Sequence, residues 1–262
     1  MKIHRINALL MRHIYLFQRS LPRIMDILFW PVLELLVWGF LSVYLEKLNI
    51  TSVSVLTFLL GAIIFWDILN QSQKAVSISF LEDVWEKNFL NIFVSPLKLS
   101  EFLSAAALLA LIRILLVAVI LGVLAGLFYH FNIFQFGFYL IPFMANLLIF
   151  GFSLGIFTTA IILRFGTAAQ ILAFGFIVLI QPFSAVFYPV SSLPQYIQYV
   201  SYLIPSTYVF EGMRAVTSSG VLPVWHLVLA FATNIFYLLL VVWFFYRMFS
   251  SVKVRGRLMK LD

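Results

Sequence analysis

The chain has no cysteine among its 262 residues. That excludes a disulfide framework and a thiolate metal site, and it leaves the redox compartment open. Charge is nearly as scarce: Asp, Glu, Lys and Arg make up 10% of the chain, against roughly 25% in an ordinary soluble domain. So little polar surface cannot cover a water-soluble core of this size. The 63% hydrophobic content and mean hydropathy of +1.07 point to the bilayer as solvent. No GxxxxGK[ST] pattern occurs, so this chain does not bind nucleotide through a P-loop. HExxH is also missing, and His4, His13, His130 and His226 are too scattered for a metal constellation.

What remains is basic and apolar. The 17 Lys+Arg outnumber the 10 Asp+Glu, giving a net charge of +7. Because the bases flank apolar runs, they argue for a membrane surface and not for nucleic acid. Apolar runs of spanning length lie at about 24–46, 53–76, 102–128, 136–163, 168–189 and 224–247. A crossing needs roughly 20 residues, and the second run is the weakest, since Asp67, Asn70, Gln71 and Lys74 interrupt it. The expected fold is an all-α membrane domain over residues 1–262 with six transmembrane helices. Lys2, Arg5, Arg12, Arg19, Arg23, Lys87, Lys98 and Arg164, with the basic tail from Arg247, fall on one side; Lys47 and Arg214 fall on the other. The positive-inside rule then puts both termini and the 77–101 loop in the cytoplasm. The first twenty residues carry no A-x-A site, so no cleaved signal peptide is expected.

Three segments lie outside the expected spans. In residues 1–22, Arg5, Arg12 and Arg19 recur every seventh position, while Ile3, Ile6, Leu10, Ile14, Phe17 and Leu21 recur at three and four. The two sets fall on opposite faces of an amphipathic helix that would lie in the membrane interface. In residues 77–101, Glu82, Asp83, Trp85, Glu86, Lys87 and Phe89 fall in a short helical stretch ended by Pro96. Residues 190–222 are broken by Pro194 and Pro205 into pieces too short to cross twice. They predict two short re-entrant helices on the outer side, with Ser206 or Thr207 as a cap and Glu211 and Arg214 placed to pair at i,i+3.

Within the spans, Gly151-Phe152-Ser153-Leu154-Gly155 matches GxSxG but lacks the strand–turn–helix context of a nucleophile elbow. The same residues read as GxxxG, a close helix contact, and Gly122 with Gly126 repeat that spacing. Glu34, Asp67 and Arg113 are intramembrane charges that cannot face lipid cheaply. They line a polar pathway or form an ion pair between helices; the pair is the simpler way to neutralise them, and the trio is expected to meet. Phe29, Trp30 and Trp38 on the first span, with Phe174, Phe183, Phe187 and Tyr188 on the fifth, are candidates to line a path for an amphiphile.

An amphipathic basic helix, six spans, a loop leaving through Ser95-Pro96-Leu97, and an outer segment with Leu193-Pro194 and Ile204-Pro205-Ser206-Thr207-Tyr208-Val209-Phe210-Glu211-Gly212-Met213-Arg214 form a recognisable order. The chain resembles the permease subunit of type-2 ABC exporters that move polysaccharides, teichoic acids or drugs across a bacterial-type cytoplasmic (inner) membrane. The resemblance implies a pair of permeases, each docked to a separate cytoplasmic ATPase that binds the ATP and magnesium. No cofactor is implied in this chain. Residues 81–96, with Glu82, Asp83, Trp85, Glu86 and Phe89, would be the helix coupling to that ATPase. The first and fifth spans would line the path among membrane lipid, and Pro194, Pro205, Glu211 and Arg214 would form an outer gate. Two other readings remain: a membrane-embedded enzyme using Ser153, or an assembly protein that does not transport.

Overall fold

The computed structural model describes residues 2–48, 53–86, 95–221 and 223–254. Among them the elements are helical throughout. In chain order they are α1 (Ile3–Gln18), α2 (Leu21–Lys47), α3 (Val53–Trp85), α4 (Leu99–Tyr129), α5 (Leu140–Phe165), α6 (Leu172–Ile180), α7 (Gln195–Tyr202), α8 (Pro205–Ser219) and α9 (Val224–Val254), with short 3₁₀ turns between several of them. Four helical stretches among the described residues are long and apolar enough to cross a membrane: Leu21–Lys47, Leu99–Tyr129, Ile133–Phe165 (α5 with the turn before it) and Val224–Val254.

Two of the six expected spans take a different form. The second does not end near residue 76 but continues as one 33-residue helix to Trp85, so the loop expected at 77–101 begins about three turns later. Of the four polar residues that interrupt it, Asp67 and Gln71 are nearly inaccessible while Asn70 and Lys74 are half-buried, and Ser72, Gln73, Ser77, Ser79 and Asp83 of the same helix are buried as well. They are sheltered because α3 is the central helix, packed on α2, α4, α5 and α8. The fifth expected span, 168–189, is broken. Only the nine residues of α6 are α-helical, followed by a 3₁₀ turn at Gln181–Phe183 and an irregular stretch in which Ala185 takes φ 54°. Pro182 cannot donate a helical hydrogen bond, and Ser184 instead returns its hydroxyl to the Ile180 carbonyl 3.0 Å away.

The glycine pair of α5 sets the closest helix approach. A Cβ on Gly151 would stand 2.5 Å from the Leu69 carbonyl oxygen, and one on Gly155 would stand 2.7 Å from that of Gln73. The backbones of α3 and α5 therefore touch along one shared stripe, as GxxxG packing requires. Gly122 and Gly126 do not behave this way. Added methyls there would meet only ordinary contacts at 3.9 and 3.5 Å, so this second GxxxG makes no close helix crossing.

The helix at the N-terminus also differs from expectation. Its buried residues are Ile6, Leu9 and His13, whereas Ile3 and Leu21 of the expected apolar side are exposed. It runs alongside the first turns of α4, from the Lys2 amide on Glu101 (2.7 Å) to the Phe17 ring under the Arg113 guanidinium (4.3 Å). Its arginines turn toward protein carboxylates, and that attraction decides which face is covered.

Candidate functional site

At the end of the bundle that carries α1, four helices are tied by charge. Arg12 of α1 lies 2.5 Å from Asp83 and 3.4 Å from Glu86. Arg23 of α2 reaches Glu82 at 2.9 Å and Glu86 at 2.5 Å. Arg5 donates to the Pro96 carbonyl and lies 3.5 Å from Glu101, whose carboxylate also accepts from the Lys2 and Lys98 amides. The last turns of α3 are thus clamped between α1 and the start of α2. Trp85, half exposed, donates its indole N–H to Gln170 at 3.2 Å. Phe89 lies outside the described residues, as do Lys87 and the rest of 87–94.

The clamp continues inward along α2 and α3, which run antiparallel. Asp26 meets Lys74 at 3.5 Å, and deeper still Glu34 and Asp67 lie in each other's field and in that of Lys74. The spacing explains the ladder: positions 23, 26 and 34 of one helix face 82, 74 and 67 of the other. Glu34 and Asp67 are therefore neighbours, but Arg113 is not with them. Its nearest charges are Glu82, Asp26 and Arg23, because α4 approaches α2 and α3 nearer the α1 end than the sequence suggested.

His13 sits inside this clamp. It is buried, and burial first, then the neighbouring Arg12, Arg113 and Arg23, lowers its pKa to about 3. A released α1 exposes the ring at its ordinary value near 6.5, so the released state binds more protons between these two values. Docking of α1 is therefore fully supported above about pH 6.5 and weakens as pH falls below it. A cysteine placed at Leu9, in a chain with none, is expected to be more accessible at about pH 5.5 than at about 7.5, read as its labelling rate relative to a cysteine at the exposed Ile3 at the same pH, which cancels the thiol's own ionisation. The His13→Gln variant should flatten that profile; an unchanged slope would remove the assignment.

The aromatic candidates divide into three places. Phe29 and Trp30 are exposed side by side on α2, with centroids 5.5 Å apart. Trp38, further along α2, stacks on Phe187 at 4.4 Å and 15°. Phe174 lies apart from both, beside Arg113. Phe183 and Tyr188 serve the local backbone: the Phe183 carbonyl accepts from Thr207, and Tyr188 donates to the Pro182 carbonyl.

The far end is braced by α8. Arg214 donates to Glu211 at 2.7 Å and to the Ala185 carbonyl at 3.0 Å, and its guanidinium covers the Phe58 ring at 4.4 Å. Glu211 accepts from the Val190 amide at 2.8 Å. This pair fixes the irregular stretch after α6, a role its i,i+3 spacing alone does not reveal. Pro194 precedes α7, Pro205 opens α8, and Gly220 ends it at φ 72°. Ser206 and Thr207 do not cap α8, since the N-cap is Ile204; their hydroxyls bond to Ser184 and Phe183.

Ser153 donates to the Ile149 carbonyl of its own helix at 2.8 Å. It borders an apolar cavity of about 290 Å³ whose lining includes no histidine, carboxylate or lysine. Among the described residues, no acid–base partner for a nucleophile lines that cavity.

A family model described as ABC-2 type transporter matches residues 5–218, from the clamp helix to the last turn of α8. The chain belongs to the ABC-2 type transporter family. It is a permease component of an ABC transporter and a multi-pass membrane protein. No curated protein matches the chain. The match takes in every part of the permease that carries charge into the bundle: the α1 clamp, the α2–α3 ladder and the Glu211–Arg214 brace.

Proposed function

We propose that the permease is the membrane half of an ATP-driven exporter, powered by a separate ATPase that binds ATP and magnesium. The clamp at the end of α3 carries this reading. A helix clasped by arginines from two others can transmit a push from a partner without bending, and α3 leads from that end through the centre of the bundle. Trp85 and the adjoining segment to residue 96 form the docking site; Glu82, Asp83 and Glu86 hold it in register.

In this reading α3 crosses the bilayer as well. The broken α6 segment completes the sixth passage, both termini face the cytoplasm of a bacterial-type inner membrane, and α7 and α8 dip into the outer leaflet as a gate. Two permeases pair in that membrane. The cargo is an amphiphile such as a lipid-linked glycan or a hydrophobic drug. The exposed Phe29–Trp30 pair and the Trp38–Phe187 stack support an apolar lining, and the Glu34–Asp67 rung supplies polarity midway.

The test is the Trp85→Ala, Phe89→Ala double variant, co-expressed with its ATPase. Transport into inverted vesicles is expected to fall about tenfold or more while membrane insertion is kept, the loss of two aromatic anchors at a docking surface. Undiminished transport with normal ATPase assembly would sink the coupling role.

A further inference from the structure

Arg113 is a buried cation of the clamp region that makes no direct ion pair among the described residues, the nearby Glu82 and Asp26 being engaged by other cations. It is 4% exposed, it makes no hydrogen bond or ion pair among the described residues, and its Nε is buried without an acceptor. The Phe17 ring stacks on it but gives no hydrogen bond. Around it the other charges are engaged: Arg23 with Glu82 and Glu86, Asp26 with Lys74. A buried guanidinium left this way is costly unless an anion reaches it.

Two cavities meet at this residue. One, of about 200 Å³, brings Arg23, Asp26, Glu82 and Arg113 together beside apolar side chains. The other, of about 210 Å³, runs between α1, α2 and α4, with Ile14, Leu28, Leu109 and Leu116 among its walls. It opens toward the outside of the bundle, where Ile112 and Leu116 are exposed. Arg113 and Phe17 border both. The depth suits a headgroup: α4 has 31 residues, about 46 Å at 1.5 Å per residue, against a hydrocarbon core of roughly 30 Å. Counting about 20 residues back from Tyr129 reaches about residue 110, within a turn of Arg113.

We propose that Arg113 holds the anionic headgroup of a membrane phospholipid, whose acyl chain lies in the apolar groove between α1, α2 and α4. The first cavity receives the phosphate, and the carboxylates beside it do not repel it because each is already paired. This lipid ties the clamp helix α1 to the first transmembrane helix. The site stands apart from the transport reading, since it needs neither an ATPase nor a cargo.

The test is native mass spectrometry of the purified, delipidated permease with dioleoyl phosphatidylglycerol or dioleoyl phosphatidylcholine. Wild-type protein should retain the anionic lipid preferentially. Arg113→Gln should lower that retention about fivefold, the worth of one basic residue against an anionic headgroup, while Arg164→Gln, an exposed basic site at the same end, leaves it unchanged. Leu116→Trp, a substitution at an exposed position that fills the groove, should displace both lipids even if Arg113→Gln fails to fold. Equal retention of the two lipids by wild type overturns the proposal outright. Displacement by glycerol 3-phosphate alone would assign a free-anion site, and preferential displacement by undecaprenyl phosphate would assign a cargo port; either result also overturns it.

Discussion

Isoleucine at Gly155 is expected to cost about 3 kcal/mol of stability or more, at the upper end for forcing volume into a packed core. The reason is the partner atom. A Cβ here would press on the Gln73 carbonyl oxygen at 2.7 Å and on Val76 Cβ at 2.8 Å. A carbonyl inside the central helix cannot swing aside as a side-chain tip can, so α3 and α5 must separate along their shared stripe. Separation would also uncover Ser72, which donates to the Leu148 carbonyl at 2.7 Å, leaving polar groups unpaired in an apolar setting. Thermal unfolding of the detergent-solubilised permease should show a lower midpoint and loss of monodispersity. Gly175→Ala is the control, because a methyl there meets nothing within 4 Å. It should be neutral or slightly stabilising, by up to about 1 kcal/mol, from helix propensity. Equal midpoints for Gly155→Ile and wild type would mean that the two helices do not touch as described.

Reversing Arg12 to glutamate is expected to release α1. Asp83 is almost wholly buried and Glu86 is within reach of the same arginine, so a third carboxylate would turn the attraction between α1 and the end of α3 into repulsion. Breaking a buried pair costs about 3–5 kcal/mol; because the Arg12 side chain is 26% exposed, about 3 kcal/mol is the fitting end of that range. Ile6, at 8% exposure on the covered face of α1, offers a direct reporter as Ile6→Cys. The thiol should be protected when Arg12 is present and labelled rapidly in Arg12→Glu. The paired reversal Arg12→Glu, Asp83→Arg should restore much of the protection, which a general loss of fold would not allow. Protection unaffected by Arg12→Glu would show that the apolar contacts of Ile6 and Leu9 hold α1 without the charges. Transport should fall in parallel, since the end of α3 would lose one of its two supports.

Periodicity made the amphipathic character of α1 legible, because three- and four-residue recurrence is a property of one helix alone. Which face is covered was not legible. Arg5 and Arg12 look like water-facing residues until Glu101, Asp83 and Glu86 are brought beside them from α4 and the end of α3. The same limit explains the length of α3. A polar run from Asp67 to Lys74 reads as the end of a span when each residue is weighed singly, yet a helix surrounded on all sides can bury such groups among its neighbours. The broken segment after α6 shows the reverse error. Its apolar content is sufficient for a crossing, but Pro182 and the positive φ of Ala185 interrupt the helix, and Arg214 stabilises the interruption from α8.

The sequence by itself determined that the bilayer is the solvent, that the structure is helical, that Gly151 and Gly155 mark a close helix contact, and that the chain is organised as a permease. The first three follow from composition, spacing or local steric rules, which act within one segment; the permease organisation follows from the resemblance of the whole order of segments to a known family. Only the tertiary structure decided where the charges go: Arg12 and Arg23 to the end of α3, Glu34 beside Asp67, and Arg113 to a cavity whose carboxylates are already paired with other cations. A charge buried in an apolar bundle takes its partner from whichever helix packs against it, and the helix that packs there is fixed by the whole set of crossings, not by the residues next to the charge in the chain.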